Sequence, residues 1–210
     1  MALEDGQTAE VRIDRITVDP HVPAGDVFLY DLSVADGGGW TPVCEPEADG
    51  KPHAVLQPTR EGGIAVFCTA GAFGKCIRFG YRPWASYGGE NLDVYWKACV
   101  KMVRADYCGD DQPTTRDNML IDYYDRLGLA GRDNRPDLSF EAAWDENGAV
   151  CVAHSRVPQK MTLDGLAETC PRLVGRLGVG CTDATAGGFG EPLLFNASRG
   201  NGIPERVGQP

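Results

Sequence analysis

The reactive residue types in this chain are eight cysteines, Cys44, Cys68, Cys76, Cys99, Cys108, Cys151, Cys170 and Cys181, and three histidines, His21, His53 and His154. Cysteine offers metal ligation, thiolate catalysis or disulfide cross-linking. Spacing argues against the first. Structural zinc is held by closely paired knuckles, whereas the nearest separations here are Cys68 to Cys76, Cys99 to Cys108 and Cys170 to Cys181. No metal site is expected, and the same spacing excludes a Cys-x-x-Cys redox pair. A Cys/His hydrolase needs a thiolate beside a base; Cys151 and His154 are nearest in sequence, but residues three apart on a strand point to opposite faces. None of the histidines lies in a G-x-S-x-G elbow or an H-E-x-x-H helix. The carboxylate pairs Asp122 with Asp125 and Asp106 with Asp110 have the type for acid–base work on a glycoside. With 30 acidic residues in 210, however, such pairs arise by chance. An even, high cysteine count suits disulfides in an oxidising compartment; the bland alternative is eight buried free thiols in a cytosolic protein, packed as small hydrophobes.

The elements that must position these residues are set by length and pattern. At 210 residues and 42% hydrophobic, the chain is large enough for one sizeable core. A net charge of −10 and a pI near 4.7 leave no basic surface for nucleic acid. No run reaches the roughly 20 apolar residues that span a bilayer, so no membrane insertion is expected. Met1 to Glu10 has neither the basic start nor the apolar centre of an export signal. The cysteines point to an exported protein all the same, so Met1 reads as an artificial or a processed start.

The longest helical pattern runs from Asn91 toward Asp111, with Leu92, Trp96, Cys99 and Val103 at i, i+4, i+7 and i+11. Asn91 is its expected cap, Asp93 pairs with Lys97 one turn on, and Gly109 is the expected stop. Before it come strands. Glu10–Val18 alternates as a half-buried strand does, with Pro20 and Pro23 ending it. Val27–Val34 and Trp40–Cys44 continue an antiparallel meander, and Ala54–Gln57 with Ile64–Cys68 forms a further hairpin. Glu45 to Lys51 reads as loop. From Cys68 to Trp84, glycines and the aromatics Phe73, Phe79, Tyr81 and Trp84 suggest either packing against the helix or the wall of a ligand site.

After the helix, Asp110, Asp111 and Asp117 lie in a polar loop that lacks the EF-hand pattern. A strand is expected through Met119–Tyr123. Leu138–Trp144 and Ala149–His154 flank an Asn-Gly turn, a strong hairpin signal. Leu163–Leu173 has helical texture, capped by Thr162 or Asp164, with Leu163, Leu166, Ala167 and Cys170 inward and Pro171 ending it. Residues 178–190 read as a flexible glycine-rich stretch, Leu193–Phe195 as a short closing strand, and Arg199 onward as a frayed tail. The fold expected is α+β, mainly antiparallel sheet with one principal core helix and disulfides; a β-sandwich is the alternative.

Several of these segments carry a resemblance. Gly80-Tyr-Arg-Pro-Trp84, Ala98-Cys99, Met102-Val-Arg-Ala-Asp-Tyr-Cys-Gly109, Leu120-Ile-Asp-Tyr-Tyr-Asp-Arg-Leu-Gly128, Phe140-Glu-Ala-Ala-Trp144, Gly148-Ala-Val150 and Leu193-Leu-Phe-Asn-Ala-Ser198 resemble the ADYC domain family from about residue 27 to residue 198. The resemblance implies a bacterial, exported or lipid-anchored protein of unassigned activity. Residues 10–198 are then one such domain, between a flexible start at 1–9 and a flexible tail at 199–210.

Two readings follow. The first is an extracytoplasmic binding module for an unknown protein or small molecule, with no cofactor, using Tyr81, Arg82, Trp84, Arg104, Asp106 and Tyr107, residue types common at recognition surfaces. The bland alternative for Arg104 and Asp106 is a structural ion pair fixing the helix end. The second reading is a secreted hydrolase with a Cys/His or paired-carboxylate site. Both require oxidised cysteines for the most part: thiol titration of the unfolded, unreduced protein is expected to find far fewer than eight reactive groups, and eight would remove the case for export.

Overall fold

The computed structural model describes residues 8–22, 25–47, 50–59 and 62–204. Pro23, the first seven residues of the expected N-terminal extension and the last six of the expected tail lie outside the described residues. The chain divides into two compact units, residues 1–80 and 81–210.

The first unit is an antiparallel sheet followed by one helix: β1 (Val11–Val18), β2 (Phe28–Asp36), β3 (Gly39–Pro42), β4 (His53–Pro58), β5 (Ile64–Cys68) and α1 (Ala72–Arg78). β2 is its axis. β1 pairs along one edge of β2, while β3 and β4 share the other, and β5 pairs with β4. Asp36 lies opposite Gly39, so Gly37 and Gly38 alone make the β2–β3 turn, both at positive φ (55° and 101°). A two-residue turn matching strand twist needs that conformation, which is why glycines occupy it. Leu32, Cys44 and Ala54 form a small buried cluster that Tyr30, Leu56 and Val66 flank, and the Cys44–Cys68 disulfide closes over it.

One expectation for this unit is corrected, and one element is added to it. β1 is not half-buried: every residue from Arg12 to Val18 is exposed. The glycine-rich stretch after Cys68 contains a helix, α1, because Gly74 lets the helix backbone lie against Cys68; a Cβ there would come within 2.6 Å of the Cys68 carbonyl oxygen. α1 is anchored by Arg78, whose Nε donates to the buried Asp19 carboxylate (2.7 Å) and whose Nη1 donates to Glu47 (2.7 Å).

The second unit opens with a short hairpin, β6 (Ser86–Tyr87) and β7 (Glu90–Asn91), that runs into α2 (Leu92–Arg104). There follow β8 (Asp122–Asp125), β9 (Ser139–Asp145), β10 (Gly148–Val152), α3 (Leu163–Thr169) and β11 (Leu194–Ser198). The sheet runs β10-β9-β11-β8, antiparallel throughout, and α2 packs on β9, β10 and β11. Mainly antiparallel sheet with one principal core helix is therefore the architecture.

Asn91 caps α2 by accepting from the Asp93 N–H (3.0 Å), and Lys97 pairs with Asp93 at 2.7 Å. The helix stops at Arg104, five residues before Gly109, because Ala105 turns left-handed (φ 49°, ψ 44°). Its inward face is rotated from the expected one: Leu92, Tyr95, Ala98, Cys99, Val100 and Met102 are buried, while Trp96 and Val103 are half-buried flanks. The strand expected at Met119–Tyr123 begins at Asp122. α3 starts as expected, Thr162 Oγ1 accepting from the Gly165 N–H (3.0 Å), but Ala167 is exposed and Leu163 only half-buried. β11 is no closing edge: it lies between β9 and β8. Nor does the chain fray at Arg199. Arg199 pairs with Asp137 (2.7 Å), and the Gly202 N–H reaches the Arg156 carbonyl (3.0 Å).

Cys108 bonds Cys170 and Cys151 bonds Cys181; Cys76 and Cys99 are disulfide-bonded as well. Cys68 thus pairs with Cys44 and not, as its nearness in sequence suggests, with Cys76 or the helix. Non-reducing peptide mapping is expected to recover Cys44–Cys68, Cys108–Cys170 and Cys151–Cys181, with no Cys99–Cys108 bridge; finding that bridge would contradict this fold.

Candidate functional site

Residues 105–109, just past α2, form the densest polar junction of the second unit. A helix end leaves carbonyls without partners. Here Arg156 serves two in the last turn: its Nη1 donates to the Val103 carbonyl (3.0 Å) and its Nη2 to that of Met102 (2.8 Å), which also accepts from the Ala105 N–H (3.0 Å). The same guanidinium grips Glu141 of β9 through Nε to Oε2 (3.0 Å) and Nη2 to Oε1 (2.9 Å). Tyr107 completes the knot. Its hydroxyl donates to Glu141 Oε1 (2.9 Å) and accepts from the Arg156 N–H (2.8 Å), and its ring stacks on Trp144 with centroids 5.2 Å apart. Arg156, Glu141 and Tyr107 are all at most 1% exposed.

Burial alone would drive the Glu141 carboxyl upward, but the Arg156 guanidinium outweighs it and holds Glu141 below its ordinary range. Burial is likewise the largest influence on Arg156, and Glu141 reverses its sign, so Arg156 stays charged. Burial and the adjacent carboxylate raise Tyr107 well above a normal phenol, which fixes it as a donor.

Each neighbouring residue has its own structural task. Ala105 makes the left-handed stop and is buried. Asp106, also buried, accepts from the backbone N–H groups of Gly109 (3.0 Å) and Asp111 (3.0 Å) and from Lys101 Nζ (2.9 Å). Cys108 is cross-linked to Cys170. Gly109, at φ 77°, lies against the Asn147 carbonyl of the β9–β10 turn, where no side chain fits.

The structure redistributes the six residues expected to recognise a ligand. Tyr107 and Asp106 are buried in this knot. Tyr81 is fully buried and donates to Asp125 (2.8 Å), and burial with that carboxylate raises it. Arg104 is half-buried and donates to the Asp111 carbonyl (2.7 Å); the cation on Asp106 is Lys101, which corrects the expected Arg104–Asp106 pair. Arg82 is half-buried, and only Trp84, at 45%, is exposed. Arg156 and Glu141, which hold the knot, are not among those six.

The candidate carboxylate pairs are committed to backbone. Asp122 accepts from Asp133 and Asn134 (3.0 and 3.1 Å), and Asp125 from Leu127, Leu129 and Ala130 (2.6 to 3.2 Å), organising residues 126–134. The Cys/His route is overturned, because no cysteine is free. Among the described residues no cluster of three His, Cys, Asp or Glu side chains could hold a metal. One hydroxyl–imidazole contact stands out: Ser139 Oγ lies 3.1 Å from His154 Nε2, and the Ser155 carbonyl 3.4 Å from Nδ1.

The knot is built on the residues that give a family its signature, and the model of the ADYC domain matches residues 1–158. The chain belongs to the ADYC domain family. No curated protein and no solved structure matches it. The matched span of the ADYC domain includes Glu141 and Arg156, but Cys170 and β11 lie beyond it, and it starts earlier and ends sooner than the expected 27–198.

Removing one member of a buried charged pair leaves the other uncompensated, so Arg156→Ala is expected to cost about 3–5 kcal/mol. Gly109→Ala is expected to cost more than about 2 kcal/mol through strain at its positive φ. Arg104→Ala, which touches an exposed carboxylate, should change stability by about 1 kcal/mol or less. Glu141 has a lower affinity for protons in the folded chain than in the unfolded one. Its contribution is complete above its ordinary value of 4.5 and is lost as pH falls through the folded value. Urea midpoints measured from pH 7 downward should therefore fall more steeply below pH 4.5 in the parent than in Glu141→Gln.

Proposed function

We propose that the chain is an extracytoplasmic, disulfide-stabilised module that binds a protein or small-molecule ligand. The oxidation of all eight cysteines carries the reading, since disulfides persist where thiols are not kept reduced. Among the described residues no helix is long and apolar enough to cross a membrane. The ADYC signature is occupied in holding the fold, so recognition belongs to side chains left outside it. Trp84 and, on the adjoining hairpin, Tyr87 (44% exposed) present aromatic surface beside Arg82 and Glu90. Aromatics with a polar rim favour ligand contact at low entropic cost.

A second reading, hydrolysis, is favoured by the Ser139–His154–Ser155 carbonyl order, which matches nucleophile, base and orienting group. The two readings separate cleanly. Selection of a displayed peptide library and a fragment set against the oxidised protein is expected to yield binders weakened about tenfold or more by Trp84→Ala, at unchanged melting temperature. A fluorophosphonate probe is expected to leave the protein unlabelled. Labelling that Ser139→Ala abolishes would replace binding by hydrolysis, and binders indifferent to Trp84 would remove the proposed surface.

A further inference from the structure

β1 lies at the edge of its sheet, and among the described residues no strand pairs with its outer side. It is eight residues long, and Ile13, Ile16 and Val18 are each at least 50% exposed. A long, exposed edge rich in β-branched residues is the kind that recruits another strand. Soluble proteins blunt such edges with a charge or a bulge, and β1 has both: Asp14 is an extra residue between Ile13, opposite Leu32, and Arg15, opposite Asp31. Their placement points the other way.

The register fixes the faces. Val11, Ile13, Ile16 and Val18 lie opposite Val34, Leu32, Tyr30 and Phe28, on one apolar face. Arg12, Arg15 and Thr17 lie opposite Ser33, Asp31 and Leu29, on the other. Asp14 belongs to this second face, since it accepts from Arg12 Nε and Ser33 Oγ. The bulge therefore sets two consecutive residues, Asp14 and Arg15, on one side. In a regular strand, an antiparallel two-fold placed between two residues would oppose side chains from different faces, which a ladder forbids. With the bulge at the two-fold, every pair agrees: Val11 meets Val18 of a second copy, Arg12 meets Thr17, Ile13 meets Ile16, and Asp14 meets Arg15. The bulge falls at the same level in both strands, so it does not disturb their register.

We propose that two copies of this chain pair through β1, antiparallel about a two-fold between Asp14 and Arg15, to make one continuous sheet. The apolar face gains two Ile13–Ile16 contacts, and Phe28, 44% exposed beside Val18, extends that stripe. The polar face gains two Asp14–Arg15 pairs. Arg15 reaches its own chain's Asp31 only at 3.8 Å and is 59% exposed, so its guanidinium is placed to serve the second copy. Such an isologous contact is self-complementary by construction. It rests on β1 alone, independently of the ligand surface around Trp84.

Sedimentation of the full chain from about 1 to about 100 µM tests it. The parent is expected to associate to twice the chain mass, with β1 amides gaining hydrogen-exchange protection as concentration rises. Arg15→Asp opposes carboxylates at the two-fold and should weaken the dimer about tenfold or more. The double exchange Asp14→Arg with Arg15→Asp restores opposite charges and should recover much of the loss. If Arg15→Asp does not fold, exchange on the parent decides alone. A monomer throughout, a dimer insensitive to Arg15→Asp, or protection that does not fall on β1 would each overturn the proposal, the first leaving the edge to another partner.

Discussion

The buried guanidinium of Arg156 holds the second unit together at the point where its three kinds of structure meet. Desolvating such a charge is expensive, and attraction to Glu141 alone does not return the full cost. The balance comes from directed donors: two reach carbonyls in the last turn of α2, two reach a carboxylate on the sheet, and the backbone N–H of the same residue reaches Tyr107. Helix end, central strand and following loop are thereby fixed to one planar group. A lysine, with one point charge and no fork, would not replace it.

This arrangement bears on what a signature means. Ala105, Asp106, Tyr107, Cys108 and Gly109 are each committed to backbone geometry, a buried bond, a cross-link or close packing, and none faces solvent with a group left over for chemistry. The ADYC string is committed to holding the fold, while Trp84, Tyr87 and the β1 edge are exposed. Function in this chain is better sought there than in the motif that names the family.

What was legible in the sequence follows from how local each cause is. The start of α2, the Thr162 cap and the β9–β10 hairpin are written in side chains within four residues, and each forms where its spacing implies, although the hairpin turns on Glu146-Asn147 with Gly148 already paired to Asp145. α1 was hidden because Gly74 is there for tertiary contact, at the cost of helical propensity. The end of α2 is not written in the sequence, because a buried alanine adopts the left-handed turn usually given to glycine. The knot joins residues 107, 141 and 156, and an arginine between Ser155 and Val157 reads as surface. One clue existed: Glu141 interrupts an otherwise apolar strand, and a carboxylate there demands a cation from elsewhere. Which cation was a question of topology.

The place of β11 has a consequence for how the chain comes into being. The last strand in sequence lies between β9 and β8, with its residues paired on both sides. Until it emerges, α2 and the β9–β10 hairpin can assemble, but β8 has no neighbour among the strands made so far, and Trp144 lacks Asn196, the acceptor for its indole N–H. An incomplete chain therefore presents open strand edges and a half-covered apolar face, the condition that favours misassembly and engages chaperones. The sheet of the second unit, unlike that of the first, therefore closes only once its last strand has been made.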